Sequence, residues 1–421
     1  MSDIIVRPSE LIGRVTPPSS KSAAHRAAIC AALCKGTSRL HNAGSSQDIT
    51  ATLDCLRALG ANITQSPDGS LAVSAGKPPE SATLNCRESG STLRFLLPVA
   101  AALGVEATFT GEGKLPERPY NDLVSALSGR GITFSRQSGL PMTVSGKLVP
   151  GSYALPGSLS SQFLTGLLLA LPLLDGKSTV TVEGRQQSQP YVEMTLETLE
   201  LFGAGVKRSG GTFETYGGGY KPAEVQIESD YSGAAFFLAA GALCGDVTVD
   251  NLRPDSAQGD RALVDILKRM GADITLEGRS VRVRRSALRA IDIDVSDIPD
   301  LAPILGVLLA YSEGTGSLTG AERLKYKESD RLTGIYRNLA ELGAQAELGD
   351  GSITIRGSKS LTGGFANGYG DHRMVMSAAI AACRAQEPVR ISDSGAVAKS
   401  YPDFFDHLRQ IGGKADVLTH G

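Results

Sequence analysis

The chain has 421 residues, and its 42 Lys and Arg nearly balance 44 Asp and Glu, for a formal net charge of −2. A chain of this length can form two or more domains that each bury a core. The balanced charge argues against a nucleic-acid-binding protein. The sequence also has no continuous apolar run of about 20 residues, the length that crosses a membrane. We therefore expect a cytoplasmic protein that binds neither nucleic acid nor membrane.

The cysteines and histidines do not indicate a metal site. None of the six cysteines forms a Cys-x-x-Cys pair, and the five histidines are scattered. Cys30 and Cys34 are one helical turn apart in an apolar segment, a pattern more typical of buried free thiols than of disulfides or metal ligands. We expect no bound metal ion.

Taken in order, the chain repeats one short pattern: the end of an amphipathic helix, a glycine, one or two small or polar residues, and a strand. The six glycines are Gly60, Gly131, Gly203, Gly271, Gly343 and Gly412. Neighbouring copies are 68 to 72 residues apart. A glycine directly after a helix favours the left-handed backbone conformation that ends helices. Copies at so regular a spacing indicate an internal repeat.

Each repeat also contains one helix that is apolar on all sides, as buried helices are. The predicted buried helices span residues 22–33, 91–103, 160–174, 232–244, 300–310 and 371–383. The polar loops that follow them span residues 41–48, 111–120, 183–191, 250–260, 320–331 and 391–402. Each repeat is therefore predicted to form a small α/β unit. Six such units favour two domains of three units each, with the division near residue 225. The strand-like N-terminus could pair with either half.

The most informative segment is 17–26, a polar loop that leads into the first buried helix and ends in Lys-Ser-Ala-Ala-His-Arg. Its serines can cap the helix. Lys21 and Arg26 place two cations near a helix N-terminus, which already favours anions. On this segment alone, a capped helix with two solvated cations remains an equal alternative. A Walker A nucleotide-binding loop is excluded because no glycine precedes Lys21 at the required spacing.

Similar polar groups stand at the starts of the other buried helices and in the polar loops. They are Gly90, Ser91, Arg118, Ser160, Ser161, Gln162, Ser188, Asp300, Lys327, Glu328, Arg331, Arg373 and Lys399. Taken singly, each has an ordinary structural explanation: Asp300 fits a helix cap, and the charged run 325–331 fits a solvated helix start. Because they occupy corresponding places in the repeats, we expect one architecture to bring them to a common anion-binding cleft.

The chain resembles the 5-enolpyruvylshikimate-3-phosphate synthase family over essentially its full length. The matching motifs are Lys-Ser-x-x-x-Arg at 21–26, the glycine-rich loop at 88–94, Glu-Arg-Pro at 117–119, Ser-Ser-Gln at 160–162, Ile-Pro-Asp at 298–300, Lys-Glu-Ser-Asp-Arg at 327–331 and Asp-His-Arg-Met at 371–374. Many relatives have Asn-Ala-Gly-Thr at 88–91, and Asn at the positions of Arg323 and Gly370. These departures imply local differences in substrate contacts and in sensitivity to glyphosate, which targets this family, rather than a different reaction.

The resemblance implies an α/β, two-domain enolpyruvyl transferase fold, an inside-out α/β barrel in which each domain has three repeated βαβαββ units. It assigns residues 17–225 to a first domain, on the shikimate 3-phosphate side. Residues 1–16 and 226–421 form the second, which carries the catalytic carboxylates and much of the phosphoenolpyruvate site. The hinge is expected near 15–20 and 222–230.

The implied reaction transfers the enolpyruvyl group of phosphoenolpyruvate to the 5-hydroxyl of shikimate 3-phosphate and releases phosphate. It proceeds by addition and elimination through a tetrahedral intermediate, and it belongs to the shikimate pathway of aromatic amino-acid biosynthesis. No cofactor is implied, because the enol ether already supplies the electrons. The two substrates are the expected partners, and the enzyme is expected to be a monomer.

The resemblance also implies roles for individual residues. For shikimate 3-phosphate they are Lys21, Ser22, Arg26, Ser160, Ser161, Gln162, Ser188, Asp300 and Lys327. For phosphoenolpyruvate they are Lys21, Gly90, Ser91, Arg118, Gln162, Arg331, Arg373 and Lys399. The implied catalytic residues are Asp300, which accepts the 5-hydroxyl proton, Glu328, which donates a proton to the methylene carbon, and Lys21 beside Asp300. So many cations match the carboxylates and phosphates of the two substrates.

Two alternatives remain open. A sister enolpyruvyl transferase acts on UDP-N-acetylglucosamine, and it would carry a cysteine in the loop at 111–116, where this chain reads Gly-Glu-Gly-Lys-Leu-Pro. The other alternative, from a different class, is a non-catalytic anion-binding relative. A phosphate-release assay with both substrates separates all three.

Overall fold

The computed structural model describes residues 2–118, 120–157, 161–184 and 188–418. The chain divides into two compact units. We call Ser19–Glu228 the central unit, and we call Met1–Pro18 together with Ser229–Gly421 the terminal unit.

The central unit alternates helices with short strands. Its helices are α1 (Lys21–Ala32), α2 (Gln47–Ala58), α3 (Gly90–Leu103), α4 (Asn121–Leu127), α5 (Ser161–Ala170) and α6 (Gln189–Leu201). Its strands are β3 (Ser38–His41), β4 (Asn62–Gln65), β5 (Leu71–Ser74), β6 (Ser81–Asn85), β7 (Glu106–Thr110), β8 (Ile132–Phe134), β9 (Met142–Gly146), β10 (Ser152–Pro156), β11 (Lys177–Glu183), β12 (Val206–Ser209), β13 (Thr212–Tyr216) and β14 (Glu224–Gln226). Short 3₁₀ turns span Leu115–Glu117 and Leu171–Leu173.

The terminal unit has the same alternation. Its helices are α7 (Tyr231–Cys244), α8 (Ala262–Arg269), α9 (Ala302–Ala310), α10 (Arg331–Glu341), α11 (His372–Arg384) and α12 (Phe404–Gln410). Its strands are β1 (Asp3–Arg7), β2 (Leu11–Val15), β15 (Gly245–Val249), β16 (Asp273–Glu277), β17 (Ser280–Arg284), β18 (Ile293–Asp294), β19 (Thr315–Thr319), β20 (Gln345–Gly349), β21 (Ser352–Arg356), β22 (Gly364–Ala366), β23 (Val389–Ile391) and β24 (Lys414–Leu418). Its 3₁₀ turns are Gly259–Arg261, Glu322–Tyr326 and Ser394–Lys399.

Within the described residues these strands form six four-stranded sheets, three in each unit. The central orders are β14-β3-β5-β4, β6-β7-β9-β8 and β10-β11-β13-β12. The terminal orders are β2-β15-β17-β16, β18-β19-β21-β20 and β22-β23-β1-β24. Every sheet begins with one parallel pair and continues with two antiparallel pairs. A parallel pair needs a crossover, and a buried helix supplies it where both strands come from one repeat, as α3 does between β6 and β7. The predicted βαβαββ repeat is confirmed.

The N-terminal strands pair with the second half of the chain, which settles the choice that the sequence left open. In β1, Ile4 lies opposite Ile391 on one side and Val417 on the other. Strand β2 runs parallel to β15, with Val15 next to Val249. Both chain ends therefore build the same unit.

The six predicted buried helices are confirmed to within two residues at their N-termini. They are α1, α3, α5, α7, α9 and α11. All of α7 is buried, because Ala, Gly, Leu and Phe cover every side of it. Each is followed in its own repeat by a helix with exposed residues, such as α8, which buries Leu263 and Leu267 and exposes Lys268. A helix with no polar face has to lie inside its unit, so these helices form the cores.

The six repeat glycines adopt the backbone conformation predicted for them. Their φ angles lie between +70° at Gly203 and +103° at Gly412. This left-handed region is strained for residues with a Cβ atom. At Gly60 a Cβ would also lie 2.4 Å from the carbonyl oxygen of Lys77. Glycine is therefore required here by both torsion and space.

Two further features concern the whole chain. In the described segments, no helix is both long enough and apolar enough to cross a membrane. All six cysteines are buried free thiols, as predicted.

Candidate active site

Asp300 lies just before a buried helix of the terminal unit but does not cap it. The helix begins two residues later, at Ala302. The Asp300 carboxylate accepts hydrogen bonds from Arg331 Nη1 at 2.7 Å and from Arg373 Nη2 at 3.1 Å. Lys327 Nζ lies 3.4 Å from the same carboxylate. The interpretation of Asp300 as a helix cap is therefore wrong, because its carboxylate serves as the shared counter-ion of three cations.

Arg331 is the centre of this cluster. Its side chain is 1% exposed, and four of its five N–H groups donate to carboxylates. Nε bonds Asp371 at 2.8 Å, and Nη2 bonds Glu328 at 2.7 Å. The planar guanidinium fixes the directions of these bonds, which a lysine could not do. Arg331 thus holds Glu328 and Asp300 in place around one guanidinium.

Burial and the neighbouring opposite charges shift the pKa values of this cluster in opposite directions. Burial raises the pKa of Asp300, but the three cations around it lower it more, so the pKa lies well below its usual value. Burial lowers the pKa of Lys327, and Asp300 only partly offsets this. For Arg331 burial also lowers the pKa, but the carboxylates bound to it raise the pKa well above its usual value. Asp300 is therefore ionised, and its negative charge is held tightly.

Asp260 is a further carboxyl group beside this cluster, and the sequence did not single it out. It is 2% exposed and accepts a hydrogen bond from Ser232. Burial, and secondly the charge of Asp300, raise the pKa of Asp260 to about 7, although Arg373 opposes the shift. Its Oδ1 atom is buried without a hydrogen-bond partner in the described part of the chain. The only signal was its position in the polar loop 250–260, which many other residues share.

Lys399 and Arg373 complete the predicted residues of the terminal unit. Lys399 ends the 3₁₀ turn Ser394–Lys399 and is 7% exposed. Arg373 lies in the first turn of α11, where Asp371 caps the helix by accepting from the Arg373 backbone N–H at 3.0 Å. Asp371 therefore has two roles, since it also binds Arg331.

In the central unit, Lys21 is the first residue of α1 and points at a carboxylate. Its Nζ lies 2.8 Å from Asp48 Oδ2, and the two side chains are 18% and 10% exposed. Ser20 caps the helix by accepting from the Ala23 backbone N–H at 3.3 Å. Ser22 follows and is half-buried. Lys21 is therefore a partly buried, paired cation, which excludes the alternative of a solvated one.

Arg26 is almost completely buried in a polar network. Nε donates to Thr195 at 2.8 Å, and Nη2 donates to Thr165 at 3.4 Å and to the Tyr191 carbonyl at 2.9 Å. Nη1 donates to the Ser22 carbonyl at 2.7 Å. Burial lowers the pKa of Arg26 to about 10. Four of its five N–H groups are thus held by this chain, and Arg26 ties α1 to α5 and α6.

The N-terminus of α3 is flanked by two guanidinium groups. A Cβ atom on Gly90 would lie 2.7 Å from Arg94 Nη1 and 2.9 Å from Arg118 Nη1. Arg94, which the sequence did not assign to the site, also lies 5.4 Å from the centre of the Phe163 ring. A helix N-terminus with two adjacent cations is a strong anion-binding arrangement. Because Gly90 has no side chain, both guanidinium groups can lie this close to the start of the helix.

Gln162 connects this helix start to that of α5. Its Oε1 atom accepts from Arg94 Nη1 at 2.7 Å, and its Nε2 donates to Ser91 Oγ at 2.9 Å. Ser161 is the first residue of α5 and is 7% exposed. Ser160 lies outside the described residues.

Ser188 precedes α6 in a strained conformation. Its φ and ψ are +56° and +42°, in the left-handed region, and it is 3% exposed. Such a conformation costs about 1–3 kcal/mol for a residue other than glycine. Strain of this kind is retained where the surrounding structure fixes a side chain, which is compatible with the binding role predicted for Ser188.

The predicted residues thus form compact groups within each unit. Residues 300, 327, 328, 331 and 373 are linked in the terminal unit, and residues 90, 91, 118 and 162 in the central unit. Residues 5–408 match the family model described as EPSP synthase (3-phosphoshikimate 1-carboxyvinyltransferase). The chain belongs to the EPSP synthase family.

Individual EPSP synthase relatives match over their whole length. The chain is 41% identical over 429 residues to the 3-phosphoshikimate 1-carboxyvinyltransferase of Clostridium kluyveri, with all of both chains covered. It is 40% identical over 435 residues to that of Clostridium novyi, again with all of both covered. The solved EPSP synthase of Acinetobacter baumannii superposes with a TM-score of 0.86 at 26% identity, covering all of both chains. The resemblance and the predicted fold class are confirmed.

One departure from many EPSP synthases has a backbone explanation. Gly370 has a φ of +61°. This is the left-handed region, which glycine adopts freely and asparagine tolerates better than other residues. Exchange between glycine and asparagine at this position therefore preserves the turn before α11.

Proposed function

We propose that the chain carries out the reaction of its family. The enolpyruvyl group of phosphoenolpyruvate is transferred to the 5-hydroxyl of shikimate 3-phosphate, and phosphate is released. In the addition step the hydroxyl oxygen bonds to the central carbon of phosphoenolpyruvate while the methylene carbon gains a proton. In the elimination step that carbon loses phosphate, and the methyl group loses a proton. The observation that carries the proposal is the Asp300 cluster, in which the carboxylates of Asp300 and Glu328 share Arg331, and Arg373 also binds Asp300. Arginine is suited to binding phosphate and carboxylate.

Asp300 has the role of proton acceptor in this proposal. In the ligand-free cluster three cations stabilise its charge, so it is a weak base. Anionic substrates that bind Lys327, Arg373 and Arg331 neutralise part of that positive charge. The pKa of Asp300 then rises, which makes it a better acceptor for the 5-hydroxyl proton. Substrate binding thereby activates the base.

Glu328 is assigned the proton transfer to the methylene carbon, for which its carboxylate first takes up a proton from solvent. Arg331 Nη2 holds Glu328 at 2.7 Å, and the same guanidinium holds Asp300. The two carboxylates are thus fixed relative to each other by one rigid group. A fixed pair of this kind suits a reaction that removes one proton and adds another.

The central unit supplies the other assigned residues. Gly90, Ser91, Arg118 and Gln162 are assigned to phosphoenolpyruvate, because the α3 N-terminus and its flanking cations favour a compact anion. Lys399, Arg331 and Arg373, which belong to the terminal unit, are also assigned to phosphoenolpyruvate. The residues assigned to shikimate 3-phosphate are Lys21, Ser22, Arg26, Ser160, Ser161, Gln162, Ser188, Asp300 and Lys327. Lys21 is also assigned to phosphoenolpyruvate and to the catalytic group.

A phosphate-release assay tests the proposal. Phosphate should form from phosphoenolpyruvate only when shikimate 3-phosphate is present, with an enolpyruvyl ether as the second product. Turnover with UDP-N-acetylglucosamine instead would favour the sister transferase, which the missing cysteine at 111–116 already disfavours. Binding of both anions without product would identify a non-catalytic relative.

We expect a monomer in the cytoplasm, and we expect domain borders at 17–225 with a hinge near 15–20 and 222–230. Light scattering on the purified protein tests the first, and limited proteolysis within the two hinge segments tests the last.

A further inference from the structure

Four buried side chains of the central unit form a continuous hydrogen-bonded chain that crosses three helices. His25 Nδ1 on α1 lies 2.7 Å from Thr52 Oγ1 on α2. Thr52 Oγ1 lies 2.7 Å from Thr92 Oγ1 on α3, which lies 2.7 Å from Ser89 Oγ at the α3 N-cap. None of the four is more than 1% exposed. None belongs to the residues assigned to substrate.

The directions of these bonds can be deduced from the protons available. Thr92 donates its hydroxyl proton to Ser89. Its oxygen must then accept the proton of Thr52, because each hydroxyl has one proton to donate. Thr52 in turn accepts from His25, so the imidazole carries its proton on Nδ1. One arrangement of protons therefore satisfies the chain.

His25 remains neutral in this setting. Burial lowers its pKa to about 3; the charge of Asp48 opposes this shift, and the charges of Lys21 and Arg26 add to it. Its Nε2 is a buried acceptor without a hydrogen-bond partner among the described residues, and the ring packs edge-on against Phe95 at 6.3 Å. A protonated ring would need a hydrogen-bond acceptor at Nε2. The ring therefore stays neutral, with its one proton on Nδ1.

The hydrogen-bonded chain ends at Ser89, which caps α3, the helix that begins with Gly90 and Ser91. Ser89 Oγ accepts from the Thr92 backbone N–H at 3.2 Å as well as from the Thr92 hydroxyl. Both bonds fix the cap and hence the direction of the backbone N–H groups that follow it.

We infer that His25, Thr52, Thr92 and Ser89 are positioning residues for phosphoenolpyruvate, acting through the first turn of α3. This rests on the proposed function, because it assigns the Gly90–Ser91 segment to that substrate. The hydrogen-bonded chain starts on α1 between Lys21, which is assigned to both substrates, and Arg26, which is assigned to shikimate 3-phosphate. It therefore sets the α3 cap relative to the helix that holds the other substrate.

Thr52→Val is the direct test, since it keeps the shape and removes the hydroxyl that links the two ends. We expect the KM for phosphoenolpyruvate to rise about 10-fold and that for shikimate 3-phosphate to change less than about two-fold, as a local misplacement would cause. Thr52→Ser should restore the parent value. Thr108→Val is the control, because it breaks the Thr108–Thr143 hydroxyl pair at 2.9 Å elsewhere in the same unit. It should leave both KM values unchanged.

A second pair of variants tests the imidazole. His25→Asn keeps a donor near the Nδ1 position and should stay within about three-fold of the parent, whereas His25→Leu should resemble Thr52→Val. Equal changes in both KM values, or an unchanged KM for phosphoenolpyruvate in folded Thr52→Val, would refute the inference.

Amide hydrogen exchange separates this inference from the proposed function. Without any substrate, the Thr92 amide should exchange at least about 10-fold faster in Thr52→Val than in the parent, because its cap is loosened. If the parent shows no turnover, the proposed function fails, and the exchange rate still decides whether the chain holds the cap. Unchanged exchange would refute the inference even in an active enzyme.

Discussion

The Oδ2 atom of Asp300 lies 3.1 Å from Nη2 of Arg373, a residue 73 positions further along the chain. The two come from consecutive repeats of the terminal unit, each just before or inside the first turn of a buried helix. Their contact means that a proposed base is also the counter-ion of a proposed substrate-binding cation. The role of Asp300 therefore depends on whether an anion is bound.

Asp300→Asn should reduce turnover by a factor on the order of 10² or more, because it removes the proton acceptor. It should also destabilise the protein by roughly 1–3 kcal/mol, because three cations lose a charged hydrogen-bond acceptor that they share. Inorganic phosphate should raise the melting temperature of the variant more than that of the parent. Asp292→Asn is the control: Asp292 is an exposed carboxylate that binds Ser317, and its loss should change neither property. Near-parent turnover in Asp300→Asn would remove Asp300 from the catalytic group.

Gly90→Ala should weaken phosphoenolpyruvate binding about 10-fold or more while leaving shikimate 3-phosphate within about two-fold, because the new methyl group displaces the guanidiniums. The added Cβ would lie within 3 Å of both Arg94 Nη1 and Arg118 Nη1. Titration calorimetry with each ligand measures the two affinities. Gly205→Ala provides the matched control, because a Cβ there has no atom within 4 Å. Equal losses for both ligands would show that the whole unit is disturbed.

Asp260→Asn should make the protein less sensitive to alkaline pH. The pKa of Asp260 is raised from 3.8 to about 7 in the folded protein, so the folded state holds its proton more tightly than the unfolded state. Folding stability from this group is complete below about pH 4 and declines as the pH rises through 7. The free energy of unfolding of the variant, relative to that of the parent, should therefore rise by roughly 1–3 kcal/mol between pH 5 and pH 8.5. Urea unfolding at both pH values measures this, and a constant difference between the proteins would contradict it.

Lys21→Met should lower turnover by a factor on the order of 10², the scale for a positioned electrostatic group. Because Asp48 then loses its contact with Lys21 at 2.8 Å, we also expect a small fall in the melting temperature. Lys35→Met removes an exposed lysine of the same unit and should alter neither quantity. If Lys21→Met retains most of its activity, Lys21 serves only to neutralise Asp48.

Features set by local sequence could be predicted well. The buried helices were recognisable because a helix that is apolar on all sides has to lie in the core. The repeat glycines were recognisable because they follow helix ends, where the left-handed backbone conformation is common. The glycine at position 203, for example, has the predicted positive φ of +70°. Such signals lie within a few residues of one another, so no knowledge of the tertiary fold is needed to read them.

The charge partners could not be predicted in this way. Lys21 and Asp48 are 27 residues apart, and Arg331 and Asp371 are 40 apart. Asp300 illustrates the problem, because an acidic residue before a helix looks like a cap until its cations are known. The pairing of charges is decided by how the repeats pack, and the sequence motifs indicate only that the charges exist.

The pairing of β1 with β23 and β24 has a consequence for synthesis on the ribosome. All strands of the central unit come from one continuous segment. This unit can therefore fold as soon as residues up to about 228 have emerged from the ribosome. Strand β1 is translated before the central unit, yet its partners include Ile391 and Val417, which follow the central unit. Strand β1 therefore cannot form these pairs until β23 and β24 have been translated. Its apolar residues Ile4 and Val6 make that interval a natural point for chaperone binding.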